Sequence, residues 1–309
     1  MKMHLQQQTV GKSYTFEGKG LHTGKVAKVT INPAPVDYGI KFRRIDLGDD
    51  AVIEAVAENV SSTARSTAIA NGEASVMTIE HLLSALTGMG VDNAQIDIDN
   101  VEVPILDGSA KPYIDAIWHG GAGVVTQDAP RKYIEISSPV EIKNEETGSF
   151  VRIEPSDEPS FDIKIDFNSQ VVGVQTAHWD LSVNYTEEIG VCRTFVFFHE
   201  LEFLFKNNLI KGGDVDNAIV IVEHPVSGEQ LSSMAALFNV PVLERCDNGY
   251  LSNNKLRFDN ECARHKLLDL IGDLRLVGGF MKARVTAYKA GHTINTKAAI
   301  AVRKSLNLK

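Results

Sequence analysis

Cysteine is scarce in this chain: Cys192, Cys246 and Cys262 are the whole complement of 309 residues, widely spaced and with no CxxC pair. That scarcity argues against a disulfide framework or a thiolate metal cage, and small residues packed in or near a core are the simpler reading. Any bound metal must then draw on histidine and carboxylate. Long apolar runs are missing too. No stretch approaches the ~18 residues of a membrane-spanning helix, and "MKMHLQQQTVGKSYTF" has no apolar segment behind its first lysine, so neither a span nor a signal peptide is expected. Excess positive charge is absent, and a net charge of -9 speaks against nucleic acid or an anionic membrane as the main partner. A cytoplasmic protein is the expectation. Several motifs are absent as well: no GxGxxG between a strand and a helix, no P-loop, no HExxH and no GxSxG elbow.

What is present is an ordinary globular composition, 43% hydrophobic and 23% charged, with a length that favours two domains. The first part, 1–127, reads as strands, a helix, strands and a helix. "YTFEGKGLHTGKVAKVTINPAP" suggests two strands joined by a glycine-rich turn, and Asn71-Gly72 a hairpin. A helix is predicted from about Thr78 to Gly88 or Gly90, then an alternating strand in "NAQIDIDNVEVPIL" and a short helix before Gly120-Gly121. "VVTQDAPRK" reads as a linker. In 128–309 the pattern restarts with strands, the clearest being "SFDIKIDF", where Phe161, Ile163, Ile165 and Phe167 alternate with charge. Helical stretches are predicted at about 185–191 and 199–208, a strand at "NAIVIV", and a short helix at "GEQLSSMAALF" within the polar segment 223–250. A leucine-rich helix, the strand "KARVTAYKAGH" and a terminal helix from about Asn295 follow. Both halves thus run from antiparallel strands to a leucine-rich helix, and "IEHLLSAL" echoes "RHKLLDLI".

The second of those helices carries His265, Asp269 and Asp273 at i, i+4 and i+8, one polar stripe on an otherwise apolar helix. His265 and Asp269 can offer two metal ligands from adjacent turns, and His81 on the echoing helix is a natural third. Glu80 beside it could act as a general base without ligating. The same residues also fit a plainer account: a His-x3-Asp pair on a solvated face, and an acid placed favourably at a helix start. His22 and His292 lie in glycine-containing stretches, where a loop histidine can reach a substrate or simply face solvent. Asp107 reads as a turn or capping residue.

Together "GKGLHTGK", "NPAP", "TIEHLLSALTGMGVDN", "PILDGSAKPY", "CRTF", "RHKLLDLIGDL" and "YKAGHTINTK" carry a specific likeness along nearly the whole chain. The sequence resembles the bacterial UDP-3-O-acyl-N-acetylglucosamine deacetylases, which perform the committed step of lipid A synthesis. The resemblance implies an α+β fold of two domains with similar topology, 1–127 and 128–309, packed through their helices with the active site between them. It implies a catalytic zinc, with iron as an alternative, held by His81, His265 and Asp269. Glu80 would be the base and His292 the cationic acid or stabiliser oriented by Asp273. Thr194 would help hold the oxyanion, and Lys266 and Phe195 would contact substrate. An insert near 196–222 resembles a βαβ element forming an apolar acyl passage, with Leu201, Ile210, Gly213, Val215, Ala218 and Val220 as candidate lining; plain core packing is the competing reading. The extra segment near 223–250 resembles Bacteroidetes-like members, often fused to a 3-hydroxyacyl-carrier-protein dehydratase, so a fused partner is implied too. Another metal-dependent amidohydrolase, or a non-catalytic sugar-nucleotide or lipid binder, are the alternatives.

Overall fold

A computed structural model describes residues 3–206, 211–214, 217–238, 240, 242–252 and 255–308. Its first five-stranded sheet is built from β1 (Tyr14–Lys19), β2 (Val26–Pro33), β3 (Ile40–Arg44), β4 (Val52–Glu54) and β5 (Ala94–Ile98). Alternation puts Tyr14, Phe16, Val29 and Ile31 on one buried face, as period-two patterning requires. The strand order is β1-β2-β5-β3-β4, with β5 antiparallel to β2 and parallel to β3.

The second sheet repeats this plan. Its strands are β6 (Val140–Lys143), β7 (Phe150–Pro155), β8 (Ser160–Asp166), β9 (Val174–Asp180) and β10 (Met281–Tyr288). The order is β6-β7-β10-β8-β9, with β10 antiparallel to β7 and parallel to β8. A two-residue strand at Ile134–Glu135 also pairs with β10. Parallel neighbours need a crossover, and in each half a helix lies within it. These helices are α1 (Glu80–Gly88), ahead of β5, and α3 (Glu261–Leu274), ahead of β10; α2 (Lys111–His119) follows β5 and α4 (His292–Ser305) follows β10. The short sequence echo therefore marks equivalent helices of two equivalent α+β units.

Helices α1 and α3 pack directly on each other. Gly272 permits the contact: a β-carbon there would stand 2.1 Å from the Glu80 carbonyl oxygen. Ser84 locks the pair, its hydroxyl donating to Leu268 O at 2.7 Å and lying 2.6 Å from the Tyr185 hydroxyl. Gly272→Ala should therefore lower stability by roughly 1–3 kcal/mol despite alanine's better helix propensity, because the clash is with backbone. Urea denaturation checks this, and an unchanged midpoint would contradict so close an approach.

Three stretches differ from expectation. Val124–Pro130 is a strand, not a linker, pairing antiparallel with Gln6–Val10, so the 127/128 boundary falls inside it. None of its side chains is fully buried, so its sequence carries no strand-like apolar pattern. Phe167 lies past the end of β8 and packs on Phe195 and Phe197, with ring centroids 5.4 and 6.0 Å away. The last helix begins at His292, three residues before the predicted Asn295. Its N-cap, Gly291, makes no side-chain cap, so the usual start signal is missing.

Candidate metal centre and acid-base pair

His81 stands in the first turn of α1 and His265 and Asp269 on successive turns of α3, so the α1–α3 contact brings the three together. All are buried, and their ligand atoms lie within 4.8 Å of one another. The Nε2 atoms of His265 and His81 are 3.4 and 3.5 Å from Asp269 Oδ1. That oxygen is buried and, among the described residues, has no hydrogen-bond partner, while Oδ2 accepts from Lys266 Nζ at 2.8 Å. His265 Nδ1 faces the Cys192 carbonyl at 3.1 Å, and a carbonyl can only accept, so Nδ1 carries the proton and Nε2 offers its lone pair. Burial, only partly offset by the Asp269 carboxylate and reinforced by the Lys266 charge, holds His265 down to about 3 and thus neutral. Asp269 remains ionised. Burial opposes its charge, but the Lys266 ammonium bonded to it outweighs that and holds it well below the usual carboxylate range. Ligands about 2.1 Å from a tetrahedral ion stand about 3.4 Å apart, so this donor set fits a divalent cation such as zinc.

Beside it lies an acid-base arrangement. Glu80 is 3% exposed, and burial raises its carboxyl against the opposing pull of His292 and His81. Its Oε2 accepts from Thr67 N at 3.1 Å, and the Thr67 hydroxyl donates to Asp273 Oδ1 at 2.5 Å. Asp273 Oδ2 binds His292 Nδ1 and Asn295 Nδ2, each at 2.9 Å. Burial works against a charge on His292, but the Asp273 carboxylate and its hydrogen bond push the imidazole up to about 9. Thr67 thus ties the Glu80 carboxyl to the carboxylate that holds the His292 imidazole.

The other sequence candidates cluster around a loop and the insert. Arg193, 4% exposed, bonds through its backbone N and Nε to Glu261 Oε1 at 3.1 and 3.0 Å. This buried pair pins the "CRTF" loop to the start of α3 and aims the Cys192 carbonyl at His265. Phe195 stands with its ring centroid 6.3 Å from that of His265, and Lys266 Nζ lies 5.6 Å from the Phe195 ring. The insert is a strand, Phe195–Phe197, a helix, Phe198–Lys206, and a parallel strand, Ile219–Ile221. A cavity of about 110 Å³ is lined by Thr194, Phe195, Leu201, Gly213, Ala218 and Val220. Ile210 and Val215 lie outside the described residues. His22 also lines this cavity, carried by the glycine loop. Glu102, 1% exposed, fixes that loop by accepting from the backbone N of His22 and Thr23 and from the Thr78 hydroxyl just before α1.

Thr67, Asn295, Glu261 and Glu102 went unmarked in the sequence. Each acts on residues distant in the chain, and only the INTK and STA contexts of Asn295 and Thr67, beside flagged motifs, hinted at them. No helix among the described residues is long and apolar enough to cross a membrane.

Comparison with known proteins agrees with this architecture. The family model LpxC, UDP-3-O-acyl N-acetylglycosamine deacetylase, matches residues 7–236 and 227–304. The chain is 43% identical over 301 residues to the bifunctional enzyme LpxC/FabZ of Porphyromonas gingivalis, covering 97% of this chain and 65% of that protein. The bifunctional enzyme LpxC/FabZ of Bacteroides thetaiotaomicron is 42% identical, with 98% and 66% covered. The UDP-3-O-acyl-N-acetylglucosamine deacetylase of Thioalkalivibrio sulfidiphilus is 38% identical over 95% of this chain and 88% of its own length. The chain thus spans just under two thirds of the two bifunctional relatives. By the length of these matches, the chain belongs to the LpxC family of UDP-3-O-acyl N-acetylglycosamine deacetylases.

Proposed function

We propose that this chain removes the N-acetyl group of UDP-3-O-(3-hydroxyacyl)-N-acetylglucosamine, releasing acetate and a free amine, in the cytoplasm. The observation that carries the reading is a buried carboxylate and a cationic imidazole, joined through Thr67 and Asp273, beside three convergent ligand atoms. On this reading 1–127 and 128–309 are two domains, with the site between α1 and α3. A zinc ion held by His81, His265 and Asp269, with iron as the alternative, would supply Lewis acidity toward water and the amide carbonyl.

The residues of the chain divide the proton work. Glu80 accepts a proton from the attacking water, its basicity kept up by burial. As the new C–O bond forms, the Thr194 hydroxyl donates to the oxygen that gains negative charge, and His292 adds a positive charge nearby. The C–N bond then breaks while His292 gives its proton to the departing nitrogen, and the proton on Glu80 restores the pair. Asp273 keeps His292 charged and oriented. Lys266 and Phe195 contact the substrate, and the insert cavity takes the start of the acyl chain. The fused dehydratase implied by the resemblance is a proposal about the whole protein, supported by the two-part names of its bifunctional relatives.

Acetate release tests the reading. The purified, zinc-loaded chain should release acetate from UDP-3-O-acyl-N-acetylglucosamine and far less from N-acetylglucosamine or its unacylated UDP derivative. Metal analysis should find about one zinc per chain, lost in His265→Ala. No acetate from the acylated substrate, with the metal in place, would reject the proposal.

A further inference from the structure

The polar segment 223–250 has no part in the chemistry above, yet it is built into the insert. Its helix, Gly228–Leu237, starts with a full capping box between Ser227 and Gln230. The chain then returns beside the strand Ile219–Ile221: Val222 N donates to Gly249 O at 2.7 Å and Leu251 N to Val220 O at 3.1 Å. Met234, Ala235 and Leu243 share one buried cluster with Leu201, Leu204 and Val220 of the insert. The segment therefore covers the outer side of the wall whose inner side lines the cavity.

Among the described residues of the segment, one reaches through. Phe238, the C-cap of that helix, is half-buried, packs on this cluster and lines the cavity itself. Thr194 and Phe195 line the cavity near the metal ligands, Phe195 lying against His265. At about 110 Å³ the cavity is well under the roughly 300 Å³ at which small-molecule sites usually begin. The Phe238 ring, packed on the cluster, bounds part of the space that an alkyl chain entering past Phe195 would fill.

We infer that Phe238 is a specificity-determining residue that closes the end of the acyl cavity away from the metal ligands, so that segment 223–250 sets the longest acyl chain accepted. This rests on the deacetylase reading of the site. Displacing Phe238 from its cluster costs apolar burial, whereas each methylene housed in freed space gains about fourfold in affinity, from ~0.8 kcal/mol per buried methylene.

The experiment uses the full chain and a series of UDP-3-O-acyl-N-acetylglucosamines of increasing acyl length, read by both calorimetric binding and acetate release. Phe238→Ala should raise the long-to-short ratio of affinity and of kcat/KM, about fourfold for each methylene newly housed. Phe238→Trp should lower the same ratio, and it keeps the test sound if the alanine variant folds poorly. Unchanged length profiles in folded variants overturn the inference even if acetate is released. If no member of the series releases acetate but Phe238→Ala still shifts the binding profile, the length stop stands and the deacetylase reading alone falls.

Discussion

Glu80→Ala is expected to cut turnover by about 10²–10⁴ while the protein folds and retains its metal. The side chain is 3% exposed, lies outside the candidate ligand triad, and accepts a hydrogen bond from the Thr67 backbone. On the proposed mechanism, removing it takes away the proton acceptor but leaves His81, His265 and Asp269 in place. The contact with Gly272 uses the Glu80 carbonyl oxygen, which alanine keeps, so the α1–α3 packing survives. Burying a carboxylate is a cost to the fold, and its removal offsets part of the roughly 1–3 kcal/mol lost when the buried Thr67 N–H is left without its acceptor, so the variant should still fold. Acetate release, zinc content and thermal unfolding on the same sample check all three points. Near-normal turnover with full zinc would remove Glu80 from the mechanism.

His292→Ala should also cost about 10²–10⁴ in turnover, and this histidine has a pH signature besides. In the metal-free protein its imidazole, raised to about 9 from its ordinary 6.5, is cationic below about 9 and neutral above. Because the folded value lies above the unfolded one, the stability it contributes is fully present below about 6.5 and is lost as pH rises through about 9. Nitrogen NMR of the ring in metal-free protein should show that titration. A nearby divalent cation adds positive charge and lowers the value, so the alkaline limb of kcat/KM in the zinc-loaded enzyme should fall below it. Asp273→Asn removes the main raising influence, and both the ring titration and the limb should move down. A limb unmoved by Asp273→Asn would show that a different group governs it.

Much of this site was legible because its elements are local. Spacing on α3 put His265, Asp269 and Asp273 on one stripe, and they occupy successive turns as a 3.6-residue period demands. Alternation located β8, whose Phe161, Ile163 and Ile165 are buried. What failed was local structure without a local signal. The strand Val124–Pro130 shows no apolar run because its partner is a single short strand. The start of α4 at His292 has a glycine cap and no capping side chain, so the histidine read as a loop residue.

By itself the sequence determined the kinds of atom available and their order on each helix: two candidate ligands one turn apart on α3, a third beside a carboxylate on α1, and a repeated strand plan around them. Only the tertiary structure decided that these meet. Side chains far apart in sequence share a point because Gly272 lets α3 lie against the carbonyl of Glu80, and because the buried Arg193–Glu261 pair turns the Cys192 carbonyl toward His265. Helical periodicity is a property of consecutive residues, whereas convergence depends on how closely two backbones approach, which no spacing within either helix encodes.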